Sequence, residues 1–499
     1  IGKDLAGKIR EISDTGDAQV HRDLVAEFPP TILDLLRLQG VGPKTVALLY
    51  LSLGVRTVED LEQAARAGKL RELRGMGAKK EALILKALEE RKQYAGRHLL
   101  ADTHETAAGI VDWLHANAPA VEFIPVGSLR RACETCGDVD VLAVGGTPQL
   151  MDLFTSYAGV ERVLGRGDTK SSVLIRGGFQ ADLRLVPADS RGAAMQYFTG
   201  SKAHNIALRD RAIQRGYKLN EYGLYRLSDN ECVAGAREEE IYEALGLQYI
   251  PPELRENRGE IERAQSRALP RLIELADLRG DIHVHTDATD GRDDLDQMAR
   301  GAAAAGLSYL AITDHSKALA MANGLDEHRV LEQARAVREA SRRIDGVRLL
   351  AGIECDIRID GTLDLAEDCL AQLDLVVASV HSAFNLDEEQ MTDRILRAIE
   401  SPVVDIIGHL SGRLILRREG YRVDLDRILD RAAACGVALE INSQIDRLDL
   451  NDVQARLARD RGVGLVIGSD AHSRAGFELL RWGTLVARRA WLEPGDVLN

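Results

Sequence analysis

Gly127–Leu142 reads GSLRRACETCGDVDVL, and it packs a phosphate-sized turn, two arginines and a pair of carboxylates into sixteen residues. Val139, Val141 and Ala143 alternate with Asp138, Asp140 and Leu142. A strand with that alternation turns apolar groups to one face and both carboxylates to the other. Carboxylates two residues apart can share metals. In a two-metal site the ions stand roughly 3.5–4 Å apart and neutralise the attacking and leaving oxygens of a phosphate. Such a site needs a third carboxylate, and Asp182 in FQADLRLVP fits: Phe179, Ala181, Leu183 and Leu185 alternate with Gln180, Asp182 and Arg184, a second one-sided strand able to lie beside the first. At the turn, Gly127 lets the backbone approach a triphosphate, Ser128 donates from hydroxyl and amide, and Arg131 offers a charged fork. The pattern points to nucleotidyl transfer, a chemistry that many enzyme groups share.

Residues 197–205, YFTGSKAHN, with Arg209 and then Asn220-Glu221-Tyr222, narrow the choice. On these motifs the chain resembles the family X DNA polymerases, the repair group that includes polymerase beta. Ser128, Arg131, Gly137, Asp138, Asp140, Asp182, Tyr197, Phe198, Gly200 and Asn205 fall on that family's motif positions with matching spacing. The resemblance implies that Asp138, Asp140 and Asp182 are catalytic and bind two Mg2+ or Mn2+ ions, and that Ser128, Arg131 and Gly137 hold the triphosphate. It also implies that Tyr197 and Phe198 line the sugar pocket, that Gly200 belongs to the nucleotide-binding set, that Asn205 and Arg209 touch the minor-groove side of the nascent pair and template, and that Lys170, in the loop Gly167-Asp168-Thr169-Lys170, meets a primer or template phosphate. One departure is Gln180, where polymerase beta carries an arginine near the primer terminus.

At 499 residues the chain has room for three or four domains. No long apolar run or signal segment appears, and because the sequence begins at Ile1 we expect an N-terminal portion to be missing. A cytoplasmic, monomeric protein with no membrane partner is the expectation. Six scattered cysteines, with Cys133-x-x-Cys136 the one close pair, read as free thiols. The net charge of -14 is unevenly placed: +3 over residues 1–100, -5 over 101–279 and -12 over 280–499. DNA is therefore expected mainly at the front of the molecule.

The front carries a repeat, LRLQGVGPKTVALL at 36–49 and LRELRGMGAKKEALIL at 70–85, each read as helix, Gly-x-Gly turn, helix. Turns of this kind present backbone N–H groups to one DNA phosphate, so Gly40, Gly42, Lys44, Gly75, Gly77 and Lys79 are the candidate contacts. Ile1 to Lys8 looks like the tail of a third copy; in polymerase beta the lysine matching Lys8 removes a deoxyribose phosphate through a Schiff base, and its role here stays open. Pro251-Pro252 and ELRENRGEIERAQSRALPRL read as a connection rather than a core.

After residue 280, short apolar strands alternate with helices, and nearly every strand ends in a metal-ligand type: His283 and His285, His315, Glu354, His381, His409, then Asp470 and His472. The carboxyl ends of strands in a parallel α/β barrel share one face, so ligands scattered along the sequence converge there. Imidazole and carboxylate without thiolate suit zinc, manganese or iron. This half resembles a polymerase and histidinol phosphatase (PHP) domain, a distorted seven-stranded barrel with a site for two or three Zn2+, Mn2+ or Fe2+ ions. Its motif positions map to His283, His285, Asp290, His315, Glu354, His381, His409, Asp470 and His472. Asp314 is expected to orient His315, and Cys355 to point away from the site.

The expected architecture is multidomain: an all-α helix-hairpin-helix region (1–98), an α+β nucleotidyltransferase palm (99–190), a thumb (191–252), a linker (253–277) and the PHP barrel (278–499). The resemblance implies a bacterial repair polymerase that fills short gaps in primer-template DNA with deoxynucleoside triphosphates, coupled to a 3′-to-5′ exonuclease. The alternatives for the barrel are a small-molecule phosphatase and a metal-stapled scaffold.

Overall fold

The computed structural model describes residues 7–8, 10–13, 17–38, 40–93 and 96–499. Residues 1–6, on which the third-hairpin reading rests, lie outside them. The chain divides into two compact units, Ile1–Ala95 with Leu416–Arg418, and Gly96–Ile415 with Glu419–Asn499. Among the described residues no helix is long and apolar enough to cross a membrane.

The first unit is helical: α1 (Gln19–Glu27), α2 (Pro43–Leu53), α3 (Val58–Arg66) and α4 (Gly77–Gln93). Leu35, Leu49, Leu61, Leu70 and Ile84 form its buried core. Thr57 and Asp60 close a capping box at the start of α3, each satisfying a backbone N–H of the other's residue. Both repeats form, but the segment ahead of each glycine turn is 3₁₀ helix, Pro30–Arg37 and Leu70–Glu72, rather than the expected α-helix. In the second copy the cause is local: Gly75 and Gly77 both take positive φ within a few residues of Leu70, leaving no length for a full α turn.

The second unit starts with α5 (Leu100–Asn117) and a mixed sheet, whose strands are β1 (Glu122–Pro125), β2 (Asp138–Val144), β3 (Val160–Arg166), β4 (Lys170–Ile175) and β5 (Phe179–Val186), in the order β1-β2-β5-β4-β3. The two strands read from alternation are real and adjacent. They run parallel, with Asp140 opposite Asp182 and Asp138 opposite Gln180. The apolar face buries Val139 and Val141. Leu142 on the other face is buried as well, against Val126, Val186, Ala194 and Met195, because helix α7 (Arg191–Thr199) covers that end of the sheet. The carboxylate face is therefore open only near the start of β2, which confines the site.

Helix α8 (Lys202–Gln214), the hairpin strands β6 (Tyr217–Asn220), β7 (Gly223–Arg226) and β8 (Cys232–Ala234), and helix α9 (Glu238–Ala244) build the next layer. Residues 253–277, expected as a linker, are part of its core. Leu254, Ile261, Ala264 and Leu272 are buried with Leu208, Ile241 and Tyr242, and helix α10 (Glu260–Gln265) lies among them. Charges in and around this segment are buried in pairs. Fully buried Arg255 meets Glu238, and Glu260 accepts from His204. Charged side chains buried in this way must be matched at close range, because an unpaired one is costly.

The barrel has seven strands in sequence order, all parallel: β9 (Gly280–Val284), β10 (Tyr309–Ile312), β11 (Arg348–Asp356), β12 (Leu375–Ser379), β13 (Ile406–Ile407), β14 (Ala438–Asn442) and β15 (Leu465–Gly468). β15 returns beside β9, where Val284 bridges Ala471 and the His285 N–H donates to the Ala471 carbonyl. Ile282, Ala311, Val377, Ile406 and Val466 fill the interior. The last long helix, α11 (Leu480–Arg489), packs against β14 and β15.

Glu238 accepts from Arg130 (2.8 Å), Arg255 and the Tyr249 hydroxyl (3.1 Å). Burial alone would raise its pKa, but Arg255 and Arg130 outweigh that and lower it from 4.5 to about 2. A depressed carboxyl stabilises the fold above its unfolded pKa and loses that contribution as pH falls through the folded one, an effect of about 3 kcal/mol here. In denaturant titrations the stability gap between the wild type and Glu238→Gln should be widest near pH 6–7 and shrink as the pH drops from about 4.5. A gap that does not change with pH would show that the pair contributes nothing.

Candidate active sites

The first site is a cleft of about 500 Å³ lined by Gly127, Ser128, Arg131, Asp138, Asp140, Tyr197, Phe198, Gly200, Asn205 and Arg209, among others. Helix α6 (Gly127–Arg130) starts at its floor. Gly127 has φ +68°, and a Cβ there would lie 2.8 Å from Asp140 Oδ2, so only glycine lets the turn sit against the carboxylate. Gly137, the remaining predicted nucleotide-binding residue, immediately precedes β2.

Asp138 and Asp140 line this cleft, and Asp182 lies beside them, opposite Asp140 on β5. Burial, then Asp182, raises Asp138; burial, then Asp138 and Asp182, raises Asp140 to about 6. Asp182 is pushed up by burial too, but hydrogen bonds from Lys170, Ser172 and Gln180 outweigh it and hold it below the usual range. Lys170 Nζ is 2.6 Å from Asp182 Oδ2, and Gln180 Nε2 donates to Oδ1 at 3.2 Å. Lys170, expected on a DNA phosphate, is thus paired with a predicted catalytic carboxylate. The antiparallel β4–β5 register sets Lys170 opposite Arg184, so that Lys170 is diagonal to Asp182 and its long side chain can reach it.

The aromatic wall is held from behind. Tyr197 and Phe198 meet edge to face, and Arg184 lies over the Phe198 ring at 4.5 Å. Asn205 donates to the Tyr197 carbonyl and accepts from Gln196, both at 2.7 Å, so its orientation is fixed. Arg209 is exposed, one turn further along α8. The arginine pair is anchored: Arg130 on Glu238, and Arg131 Nε on Glu256 at 3.0 Å.

The second site is the carboxyl-end rim of the barrel, where the structure gathers all nine residues named from the sequence. Glu354 is the hub. Its Oε1 lies 2.9 Å from His409 Nε2 and 3.3 Å from His381 Nε2; its Oε2 lies 2.9 Å from His315 Nδ1, 3.4 Å from His283 Nε2 and 3.7 Å from His285 Nε2. Asp470 Oδ1 is 3.2 Å from His285 Nε2, and Asp290 Oδ2 is 3.4 and 3.5 Å from His472 and His315. Three overlapping sets have the closeness a metal ion needs: His285, Asp290, His315 and His472; His283, His285 and Asp470; His315, Glu354 and His381. Burial would raise Glu354, but His381, His283 and His315 hold it well below the carboxylate range. The reverse balance lifts His315 to about 10 and His381 to about 9, with Glu354 the largest opposing influence on each.

The donor set fits divalent metal. Buried His283 Nε2 and both ring nitrogens of His285 face carboxylates yet make no hydrogen bond, an arrangement that a cation between them satisfies. Two of the nine residues have strained backbone, His409 (φ +25°) and Asp470 (φ +53°), as is common where a site over-determines its geometry.

Sequence reasoning missed Glu440, in the strand ALEIN. It is fully buried, holds His283 Nδ1 at 2.7 Å and accepts the His409 N–H at 2.8 Å, so His283 turns Nε2 to the rim. Gly468 makes room, since a Cβ there would sit 2.3 Å from Glu440. Alternation within β14 puts Glu440 and Asn442 on one face, the one available signal. Asp314 departs from expectation: its carboxylate accepts from Thr286, Thr289 and Gln333, tying down the loop that carries Asp290. Cys355 points away from the rim and donates to Asp364.

In the first unit, Gly40, Gly75 and Gly77 have positive φ, whereas Gly42 is extended and caps α2 without a side-chain hydrogen bond. Lys44 and Lys79 are exposed beside those turns.

Residues 32–90 match a SAM-like helix-hairpin-helix tandem, residues 194–256 a DNA polymerase beta thumb and residues 281–444 a PHP domain. Over 502 aligned residues, covering 100% of this chain and 88% of the relative, the sequence is 37% identical to a protein of Bacillus subtilis named DNA polymerase/3'-5' exonuclease PolX. A probable phosphatase of Caldanaerobacter subterraneus is 32% identical over 203 residues, 38% of this chain and 75% of its own length. A probable phosphatase of Shewanella sediminis is 35% identical over 202 residues, 38% and 77% of the two chains. A solved polymerase beta of Leishmania infantum covers 45% of this chain and 98% of its own at 22% identity, with a TM-score of 0.31 too low to bear on the fold.

Removing the carboxylate behind His283 should weaken metal binding at the rim. Glu440→Gln is expected to lower zinc or manganese affinity by about 10- to 100-fold in competition with a chromophoric chelator. Unchanged affinity would mean that His283 needs no such support.

Proposed function

This chain belongs to the bacterial family X DNA polymerases that carry a PHP domain, and we propose that its two clusters form two independent centres, one extending a DNA primer and the other removing nucleotides from a 3′ end. The observation that carries the reading is the coexistence, in one chain 37% identical to its Bacillus relative over the full length, of a cleft lined by Asp138 and Asp140 with Asp182 on the neighbouring strand, and a nine-residue imidazole and carboxylate rim. We take residues 1–98 to hold DNA, 99–190 to be the palm, 191–252 the thumb and 278–499 the phosphoesterase, acting in the cytoplasm on gapped or primer-template DNA.

In the cleft, Asp138, Asp140 and Asp182 would hold two Mg2+ or Mn2+ ions, which when bound neutralise the triphosphate and acidify the primer hydroxyl. Ser128 and Arg131 receive the outer phosphates at the Gly127 turn, with Gly137 leading into the carboxylate strand. Tyr197 and Phe198, backed by Arg184, give the sugar a fixed wall, and Gly200 leaves it room. Asn205 and Arg209 face the base pair and template. The primer 3′ oxygen bonds to the α-phosphorus, pyrophosphate leaves, and the hydroxyl proton goes to solvent. Gly40, Gly42, Lys44, Gly75, Gly77 and Lys79 receive backbone phosphates of the DNA.

At the rim, the nine residues would hold two or three Zn2+, Mn2+ or Fe2+ ions, which when bound supply Lewis acidity for hydrolysis of the terminal phosphodiester. Glu440 fixes the ring of His283 and Asp314 fixes the loop bearing Asp290, so the ligands are organised before metal arrives. The probable phosphatases that match the barrel half favour a second reading, hydrolysis of small phosphomonoesters.

On a gapped duplex, Asp182→Asn should abolish nucleotide addition and spare 3′ nucleotide release, while His283→Ala should do the reverse. Loss of both activities from either change contradicts two independent centres. Release of phosphate from p-nitrophenyl phosphate without any release of nucleotide supports the second reading. Because Asp140 keeps its proton up to about pH 6, protons and cations compete there, and the apparent Mg2+ affinity for nucleotide addition should rise as the pH goes from 5 to 7. An affinity flat across that range would show that Asp140 is not a ligand.

A further inference from the structure

We propose that Arg489, at the end of the barrel's helix α11, is a positioning residue for the nucleotide cleft of the polymerase half, acting through Glu256 on Arg131. The inference rests on the reading above that Arg131 receives the triphosphate. Arg489 is 8% exposed and far along the sequence from the cleft, yet its Nη1 donates to the Arg131 carbonyl at 2.7 Å and to Glu256 Oε1 at 3.1 Å. The same Glu256 oxygen accepts from Arg131 Nε at 3.0 Å. The other arm of Arg489 is held by Asp452 Oδ2 at 3.0 Å, and Asp452 also accepts from Arg258 at 2.8 Å. A chain of alternating charge, Arg131, Glu256, Arg489, Asp452 and Arg258, therefore runs from the cleft into the barrel.

Two consequences follow for Arg131. Its carbonyl terminates α6, the short helix that opens with Gly127 and Ser128, so the hydrogen bond from Arg489 pins the end of the turn meant for the phosphates. Its guanidinium competes with Arg489 for one carboxylate. Glu256 is partly buried and stays ionised, because the two arginines together outweigh the cost of burial. With Arg489 in place, the negative charge is shared, Arg131 meets Glu256 through Nε, and Nη1 turns to the Thr199 carbonyl beside Gly200. Without Arg489, the whole carboxylate charge falls to Arg131, and bidentate pairing draws the guanidinium away from the cleft. Arg489 hydrogen-bonds Arg131, Glu256 and Asp452, none of which belongs to the nine-residue rim.

The test uses the full chain on a gapped duplex, with KM for deoxynucleotide and kcat measured separately. Arg489→Met should raise KM about tenfold, the worth of one charge-assisted hydrogen bond, change kcat less, and leave 3′ nucleotide release at the wild-type rate, which also reports that the protein is folded. Arg489→Lys, which keeps the charge, should recover part of the loss. Adding Glu256→Gln to Arg489→Met should bring KM back toward wild type, because the carboxylate that captures Arg131 is gone. A double variant worse than Arg489→Met would overturn the proposal and leave Arg489 a packing residue, as would an unchanged KM in Arg489→Met. Arg131→Ala in parallel separates the two readings: if it leaves KM unchanged, the assignment of Arg131 to the triphosphate falls, whereas a raised KM there with none in Arg489→Met removes only the positioning role.

Discussion

Parallel strands that lie side by side bring ionisable groups closer together than water would leave them. In the palm, the β2–β5 register sets Asp140 opposite Asp182 with Asp138 two residues away. Burial and mutual repulsion then raise Asp138 and Asp140, while Lys170 and Gln180 keep Asp182 ionised. At the barrel rim the same constraint gathers six histidines around Glu354, Asp290 and Asp470. Both arrangements crowd ionisable groups into a low-dielectric interior, and divalent cations standing among the oxygens and nitrogens would stabilise both.

The remaining polar interior is arranged differently, in closed pairs that need nothing from outside. Glu238 takes Arg130 and Arg255; Glu260 takes His204, whose other nitrogen meets the Tyr242 hydroxyl; Asp452 takes Arg258 and Arg489. These pairs join the palm, the thumb layer and the barrel within one compact unit, and breaking any of them would leave a buried charge uncompensated. The contrast between satisfied pairs and unsatisfied clusters is what marks the two candidate sites apart from the many other charges of this chain.

Much of this was legible in the sequence because alternation survives folding. Asp138 to Ala143 and Phe179 to Leu185 announced two one-sided strands, and the strands that followed announced a rim because their ligand-type residues came at their carboxyl ends. What stayed hidden depended on partners distant in sequence. Residues 253–277 looked like a connection because they are rich in Arg and Glu, yet Arg255, Glu256 and Glu260 meet partners more than fifteen residues away and the segment packs as core. Glu440 was one acid inside an apolar strand, and Lys170 looked like an open loop cation until the β4–β5 pairing put it against Asp182. Asp314 was assigned by adjacency to His315, whereas the fold turns it toward Thr286 and Thr289.

The most direct measurement is anomalous X-ray scattering from crystals of the full chain grown with manganese. The account predicts anomalous density at two separate places, one between Asp138, Asp140 and Asp182, the other within the rim bounded by His283, His285, Glu354 and Asp470. Density at one place alone, or at neither, would contradict the claim that a single chain organises two metal centres of opposite chemistry.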